Sequence, residues 1–123
     1  MTNQLSLLLA LLLVLTGCSS AYSKHLSKAY SAYEIGDCAE VIRQLSQTER
    51  LSRSRPYLQP EISLLRGQCL ERQALYLDAV QTYRYLVDHY PQNEYTYRAG
   101  ARLETLRQLV HYDPEQALAP RIR

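Results

Sequence analysis

From Tyr22 to Val110 apolar residues recur at helical spacing in short bursts, and a Gly, Asp or Pro closes each burst. Tyr22, Leu26, Ala29, Tyr30 and Tyr33 stand at i, i+4, i+7, i+8 and i+11, one stripe of a 3.6-residue period. Gly36-Asp37 ends that segment and opens a second, where Asp37 and Glu40 have the spacing of a capping box. Cys38, Val41, Ile42 and Leu45 form its inward stripe. The polar run Ser52-Arg53-Ser54-Arg55-Pro56 breaks it. Pro60 suits the first turn of a third helix, with Ile62, Leu65, Cys69 and Leu70 facing inward. Val80, Tyr83, Val87 and Tyr90 line a fourth helix stopped by Pro91, and Ala99, Leu103, Leu106 and Val110 line a fifth. The expected fold is all-α: about five antiparallel helices over 22–110, then a loose tail over 111–123 that carries Pro114 and Pro120. With no Phe or Trp and 11 Tyr, the core must rest on aliphatic residues and on tyrosine rings whose hydroxyls find water or a partner.

The segment before Tyr22 has a different character. Leu5 to Leu15 reads LSLLLALLLVL, 11 residues, whereas a membrane-spanning helix needs roughly 20. It suits the apolar part of an export signal. Leu15-Thr16-Gly17-Cys18 then resembles the lipobox of bacterial lipoproteins. That resemblance implies a signal peptide over 1–17, cleavage before Cys18, and a diacylglycerol on the Cys18 thiol with a further acyl chain, palmitate in type, on its new amino group. Several chains make such anchoring effectively permanent. The n-region Met1-Thr2-Asn3-Gln4 departs from the pattern because it has no Lys or Arg. Ser19, in place of Asp, points to the periplasmic face of the outer membrane; in a Gram-positive host the same signal means the outer face of the cytoplasmic membrane. Residues 18–21 leave almost no linker, so the domain is expected to sit against the lipid surface. Lys24, His25 and Lys28 read as a solvated charged face, with headgroup contact as the alternative.

The helical part resembles tetratricopeptide repeats. The residues that carry this are Leu65-Arg66-Gly67-Gln68-Cys69-Leu70, then Tyr76-Leu77-Asp78-Ala79-Val80-Gln81-Thr82-Tyr83, then Tyr90-Pro91. The resemblance implies that Gly67 is the glycine where paired helices cross, Ala79 the small residue facing it, Tyr83 the bulky wedge and Pro91 the terminator. Ser63 and Ala74 depart from the usual aromatic and the usual turn glycine. A weaker copy runs from Tyr22 to about Arg55, with Val41 in the small position and Leu45 as wedge, offset by 38 residues where the family has 34. Two helix hairpins plus a capping helix follow from it, similar to repeat lipoproteins of envelope assembly. On that register Cys38 and Cys69 fall near the same end of adjacent antiparallel helices. In an oxidising compartment they are expected to form a disulfide; two buried free thiols are the alternative.

The 14 basic residues are balanced by 12 acidic ones and interspersed with them, which argues against nucleic acid as a ligand. His25, His89 and His111 have no second ligand at i+3 or i+4, and neither a phosphate-binding glycine loop nor a nucleophile elbow occurs. No enzyme, metal or cofactor is expected. Tetratricopeptide domains bind proteins in a concave groove. The matching positions here are Tyr30, Tyr33, Gln68, Glu71, Tyr95, Arg98 and Arg102. Arg98 and Arg102 at i, i+4 beside tyrosine rings suit a peptide with a carboxylate. The expectation is an adaptor for an envelope protein in outer-membrane, pilus, secretion or cell-wall assembly. The alternative is a structural lipoprotein that associates with itself.

Overall fold

The computed structural model describes residues 4, 20–109, 111 and 113–115. Residues 5–19, among them Cys18, and Val110 lie outside the described residues. The described chain is all-helical: α1 Ala21–Glu34, α2 Cys38–Leu51, a 3-10 turn Pro56–Leu58, α3 Gln59–Arg72, α4 Tyr76–His89 and α5 Glu94–Gln108. Consecutive helices pack against one another, most extensively α1 on α2 and α4 on α3, so two antiparallel hairpins stack side by side with α5 closing the second. No described helix is long and apolar enough to cross a membrane.

The internal repeat is stricter in the structure than the residue types suggest. The first four helices each have 14 residues, and the bounds of α3 and α4 repeat those of α1 and α2 at a spacing of 38. The extra residues of the first copy sit in the connection 52–58, seven long against four at 90–93. The two hairpin turns correspond as well: Gly36 has φ +80° and Ala74, at the same repeat position, has φ +58°. Left-handed backbone is open to glycine and costs an L-residue roughly 1–2 kcal/mol. The second hairpin therefore holds a strained turn where the first does not.

Gly67 lies at the crossing of α3 and α4. A Cβ built there would fall 2.9 Å from both Cδ1 and Cζ of Tyr83 and closer still to Cε1. Tyr83 is fully buried, so its ring has nowhere to retreat. In the first hairpin the equivalent pair is Ala29 and Leu45, also fully buried: a slightly larger floor under a slimmer wedge. Two core clusters result. Ala29, Val41, Leu45, Ile62, Leu65 and Cys69 fill the first, and Leu64, Val80, Tyr83, Leu86, Ala99 and Leu106 the second. Between them α3 is buried on both flanks, with seven of its residues inaccessible, Ser63 and Gly67 among them. In α4 the buried position is Leu86, while Val87 is exposed, because the packed face follows Ala79, Tyr83 and Leu86.

Polar residues join the helices. Cys38 and Cys69 are bonded, with Cα atoms 5.3 Å apart, tying the start of α2 to α3. Closing a loop of 31 residues stabilises by roughly 3–4 kcal/mol in the chain-entropy model. Further along the same two helices Glu49 accepts two hydrogen bonds from Arg66 (2.7 and 2.8 Å) and one from Gln59 (2.8 Å). Burial pushes the Glu49 carboxyl up, but these donors outweigh it and hold it below the usual range. Only half of the expected capping box forms. Asp37 accepts from the Glu40 amide at 3.0 Å, while the Glu40 side chain turns to Arg43 and Gln44. His25 does not belong to a solvated face; its Nδ1 lies 2.6 Å from Gln44 Oε1 in the α1–α2 seam. The tail is docked at its start, where His111 stacks on Tyr76 with ring centroids 3.8 Å apart.

Two substitutions should act in opposite directions on thermal unfolding. Ala74→Gly relieves the left-handed strain and should gain about 0.5–1 kcal/mol, raising Tm by several degrees. Gly67→Ala drives a methyl into the Tyr83 ring and should lose about 1–2 kcal/mol, overpacking outweighing the ~1 kcal/mol helix-propensity gain. A higher Tm for Gly67→Ala would show that the crossing is looser than its geometry.

Candidate partner-binding groove

α1, α3 and α5 share one side of the stack, and the residues singled out for binding all belong to them. They gather at two places along it. Toward the N-termini of α3 and α5, the hydroxyl of Tyr30, from the second half of α1, donates to Glu61 Oε1 at 2.6 Å, with Tyr95 and Arg98 close enough to act on it electrostatically. Burial, then the Glu61 carboxylate, push the Tyr30 phenol well above its ordinary value. Burial likewise raises Tyr95, with Glu61 and Glu94 adding to it. Arg98 is exposed and makes no ion pair or hydrogen bond among the described residues.

One turn or more further along lies a concavity of about 440 Å³ lined by Tyr33, Gln68, Glu71, Arg72, Arg102 and Leu109, among others. Arg72 stacks over the Tyr33 ring, 3.6 Å from its centroid, and donates to the Tyr33 carbonyl at 2.7 Å. That contact caps the end of α1 and fixes the ring that borders the concavity. Glu71 is the hub of the floor. It accepts from the Tyr83 hydroxyl at 2.6 Å and from Arg102 Nε at 2.9 Å, and a second Arg102 nitrogen reaches its other oxygen. Burial pushes the Glu71 carboxyl up, yet Arg102 and then Tyr83 more than offset this and leave it below the usual carboxylate range. Burial and then the Glu71 hydrogen bond push the Tyr83 phenol far up. Arg102 is held firmly protonated, first by its bond to Glu71.

All seven expected residues thus lie on one face, but they are not equally available. Glu71 and Arg102 neutralise each other, so the pair Arg98/Arg102 does not act as a two-pronged carboxylate clamp; Arg98 alone is uncommitted. Glu61 and Arg72, not singled out from the sequence, set the positions of Tyr30 and Tyr33. Their only sequence signal was helical phase: Glu61, Gln68 and Arg72 fall within about one side-chain width around α3 at 100° per residue. A larger concavity of about 840 Å³ lies on the opposite side of α3, between α2 and α4, with Ile42, Ser63, Arg66, Leu70, Thr82 and Tyr85 on its walls. Its Arg66 is already held by Glu49. Among the described residues no group of three or more His, Cys, Asp or Glu is placed to hold a metal ion.

The low carboxyl pKa of Glu71 sets a pH dependence with a definite sign. A depressed folded pKa contributes stability above the unfolded value, near 4.5, that is lost as pH falls through the folded value. Glu71→Gln should therefore cost about 1 kcal/mol at pH 7, allowing for the partial exposure of Arg102. The gap to the unaltered protein should narrow as the pH falls below 4.5, read from urea unfolding midpoints. A gap independent of pH would mean that the Glu71 carboxyl titrates alike in the folded and the unfolded chain.

Comparison with protein-family models, with curated proteins and with solved structures finds no match to this chain, so the groove's own residues carry the functional reading.

Proposed function

We propose that the chain is a membrane-anchored lipoprotein adaptor, lipidated at Cys18, that holds a partner protein of the cell envelope in a tetratricopeptide-like groove formed by α1, α3 and α5. The observation that carries this reading is the convergence of Tyr30, Tyr33, Gln68, Glu71, Tyr95, Arg98 and Arg102 on one face, with Arg98 exposed and uncommitted beside two tyrosine rings. Its support in the backbone is the stacking of two 14-residue helix hairpins at a constant spacing, with a side-chain-free crossing at Gly67. A fitting occupant is an extended segment or a helix that lays apolar groups on the tyrosines and a carboxylate on Arg98. The Glu71–Arg102 pair contributes directional polar groups without net charge.

One observation favours a second reading. Ile35 (82 % exposed), Leu77 and Leu109 stand at the end of the stack that holds both hairpin turns, an apolar set suited to contact between copies of the chain. A photoreactive residue at Tyr33 or Arg98 in intact cells separates the two. The adaptor reading expects capture of one defined envelope protein from both positions and none from Gln81, which lines the opposite concavity. Capture of the chain by itself alone would favour self-association.

A further inference from the structure

The N-terminus of α1, the end of α2 and the connection 52–58 form one end of the stack, where the Arg55 guanidinium lies over the Tyr22 ring, 5.0 Å from its centroid. Arg50, Arg53 and Arg55 stand around a concavity of about 760 Å³ that Ser46, Ser52 and Gln59 also border. Arg50 and Arg53 are exposed and make no ion pair among the described residues. The neighbouring carboxylate, Glu49, is already held by Arg66 and Gln59, so it does not cancel their charge. The other acidic residues of this end are Asp88 and Glu94, on its α4–α5 side, and Glu61 in the first turn of α3, whose carboxylate accepts from the Tyr30 hydroxyl. Beside the arginines Tyr57 is 66 % exposed and Leu51 44 % exposed. Basic side chains, a tyrosine and a leucine at one rim are the residue types that meet a phospholipid interface.

We infer that this end docks on an anionic phospholipid bilayer, Arg50 and Arg53 meeting headgroup phosphates while Tyr57 and Leu51 enter the interface. The inference rests on the reading of Cys18 as the lipid anchor. Cys18 stands two residues before Ser20, which immediately precedes α1, and an extended chain covers about 3.5 Å per residue. The lipid would then be held within about 7 Å of the first turn of α1, on the same end as the arginines. A tether this short presents the patch to the surface at high effective concentration and makes two weak charge contacts sufficient. The bilayer is favoured over a free anion because the rim pairs charge with exposed apolar groups, which an isolated phosphate does not use.

The test uses the lipidated full chain in phosphatidylcholine vesicles with and without phosphatidylglycerol, read by hydrogen exchange at 50–58. Exchange there should slow when the anionic lipid is present and recover in 0.5 M salt. Arg50→Gln with Arg53→Gln should abolish the difference without changing the circular dichroism spectrum. At about fivefold in the docked-to-free ratio for each basic residue, the double variant should lose about 25-fold. Equal exchange in both vesicle types, with the chain still vesicle-bound, would overturn the docking and leave the anchor intact. A chain that lacks added acyl mass and washes off both vesicle types would remove the anchor, and the inference with it.

Discussion

The contact between Gly67 and the Tyr83 ring is the constraint from which most of the second hairpin follows. With no side chain at Gly67, α4 can lie on α3 with an aromatic ring as the only spacer. A ring buried this completely needs an outlet for its hydroxyl, since an unpaired buried hydroxyl costs about 1–3 kcal/mol. The outlet is Glu71, one turn along α3 from Gly67, and Glu71 in turn requires a cation because it is shielded from water. Arg102 on α5 supplies it. One packing decision in the core therefore reaches the groove as a Tyr83–Glu71–Arg102 relay that binds three helices together. No buried side-chain polar atom among the described residues lacks a partner.

The first hairpin solves the same problem differently. Ala29 and Leu45 leave no polar group to satisfy, so this half has no relay and its junction with α3 is held by other means. Cys38–Cys69 fastens one end of the α2–α3 seam and the Glu49–Arg66 pair the other. That placement matches where help is needed: the α2–α3 contact is slighter than either hairpin's own seam and spans the longer connection 52–58. A stack of two hairpins and one helix has little core to spare, and a covalent bond across the seam between its two hairpins raises the cost of separating the halves.

Much of this was legible in the sequence, and the failures have physical causes. Helix starts and stops were readable because Gly36, Asp37, Pro60 and Pro91 act locally, through φ, capping and the missing amide. The Gly67–Tyr83 crossing was expected from the resemblance to tetratricopeptide repeats, and the structure places the two side by side. Leu86 was missed in favour of Val87 because a wide apolar stripe does not say which of two neighbours lies at its centre until the angle of α4 on α3 is set. The groove's face was legible through the resemblance to the repeat pattern, whereas its charge state was not. Glu71 and Arg102 lie 31 residues apart, and only the placement of α5 against α3 shows that each consumes the other. Ala74 looked like a departure from a turn glycine, and its φ of +58° shows that the backbone kept the glycine's conformation while the residue changed.

The two proposals constrain each other through the direction of the helices. α1, α3 and α5 run the same way, and their N-terminal ends belong to the end that carries Arg50, Arg53 and Tyr57. If that end rests on lipid, the Tyr30–Glu61–Tyr95–Arg98 cluster is the part of the groove nearer the bilayer. The Tyr33–Glu71–Arg102 concavity then lies further out, by about 5 Å along α1, about 6 Å from Arg98 to Arg102 along α5 and about 15 Å along α3 at 1.5 Å per residue. The uncommitted cation is thus on the membrane side, and the self-neutralised pair is distal. A partner segment whose carboxylate is placed to reach Arg98 must come close to the lipid surface, so it would have to be membrane-bound itself or long enough to descend the groove. Orientation by the short anchor would in this way select among partners before any side chain in the groove does.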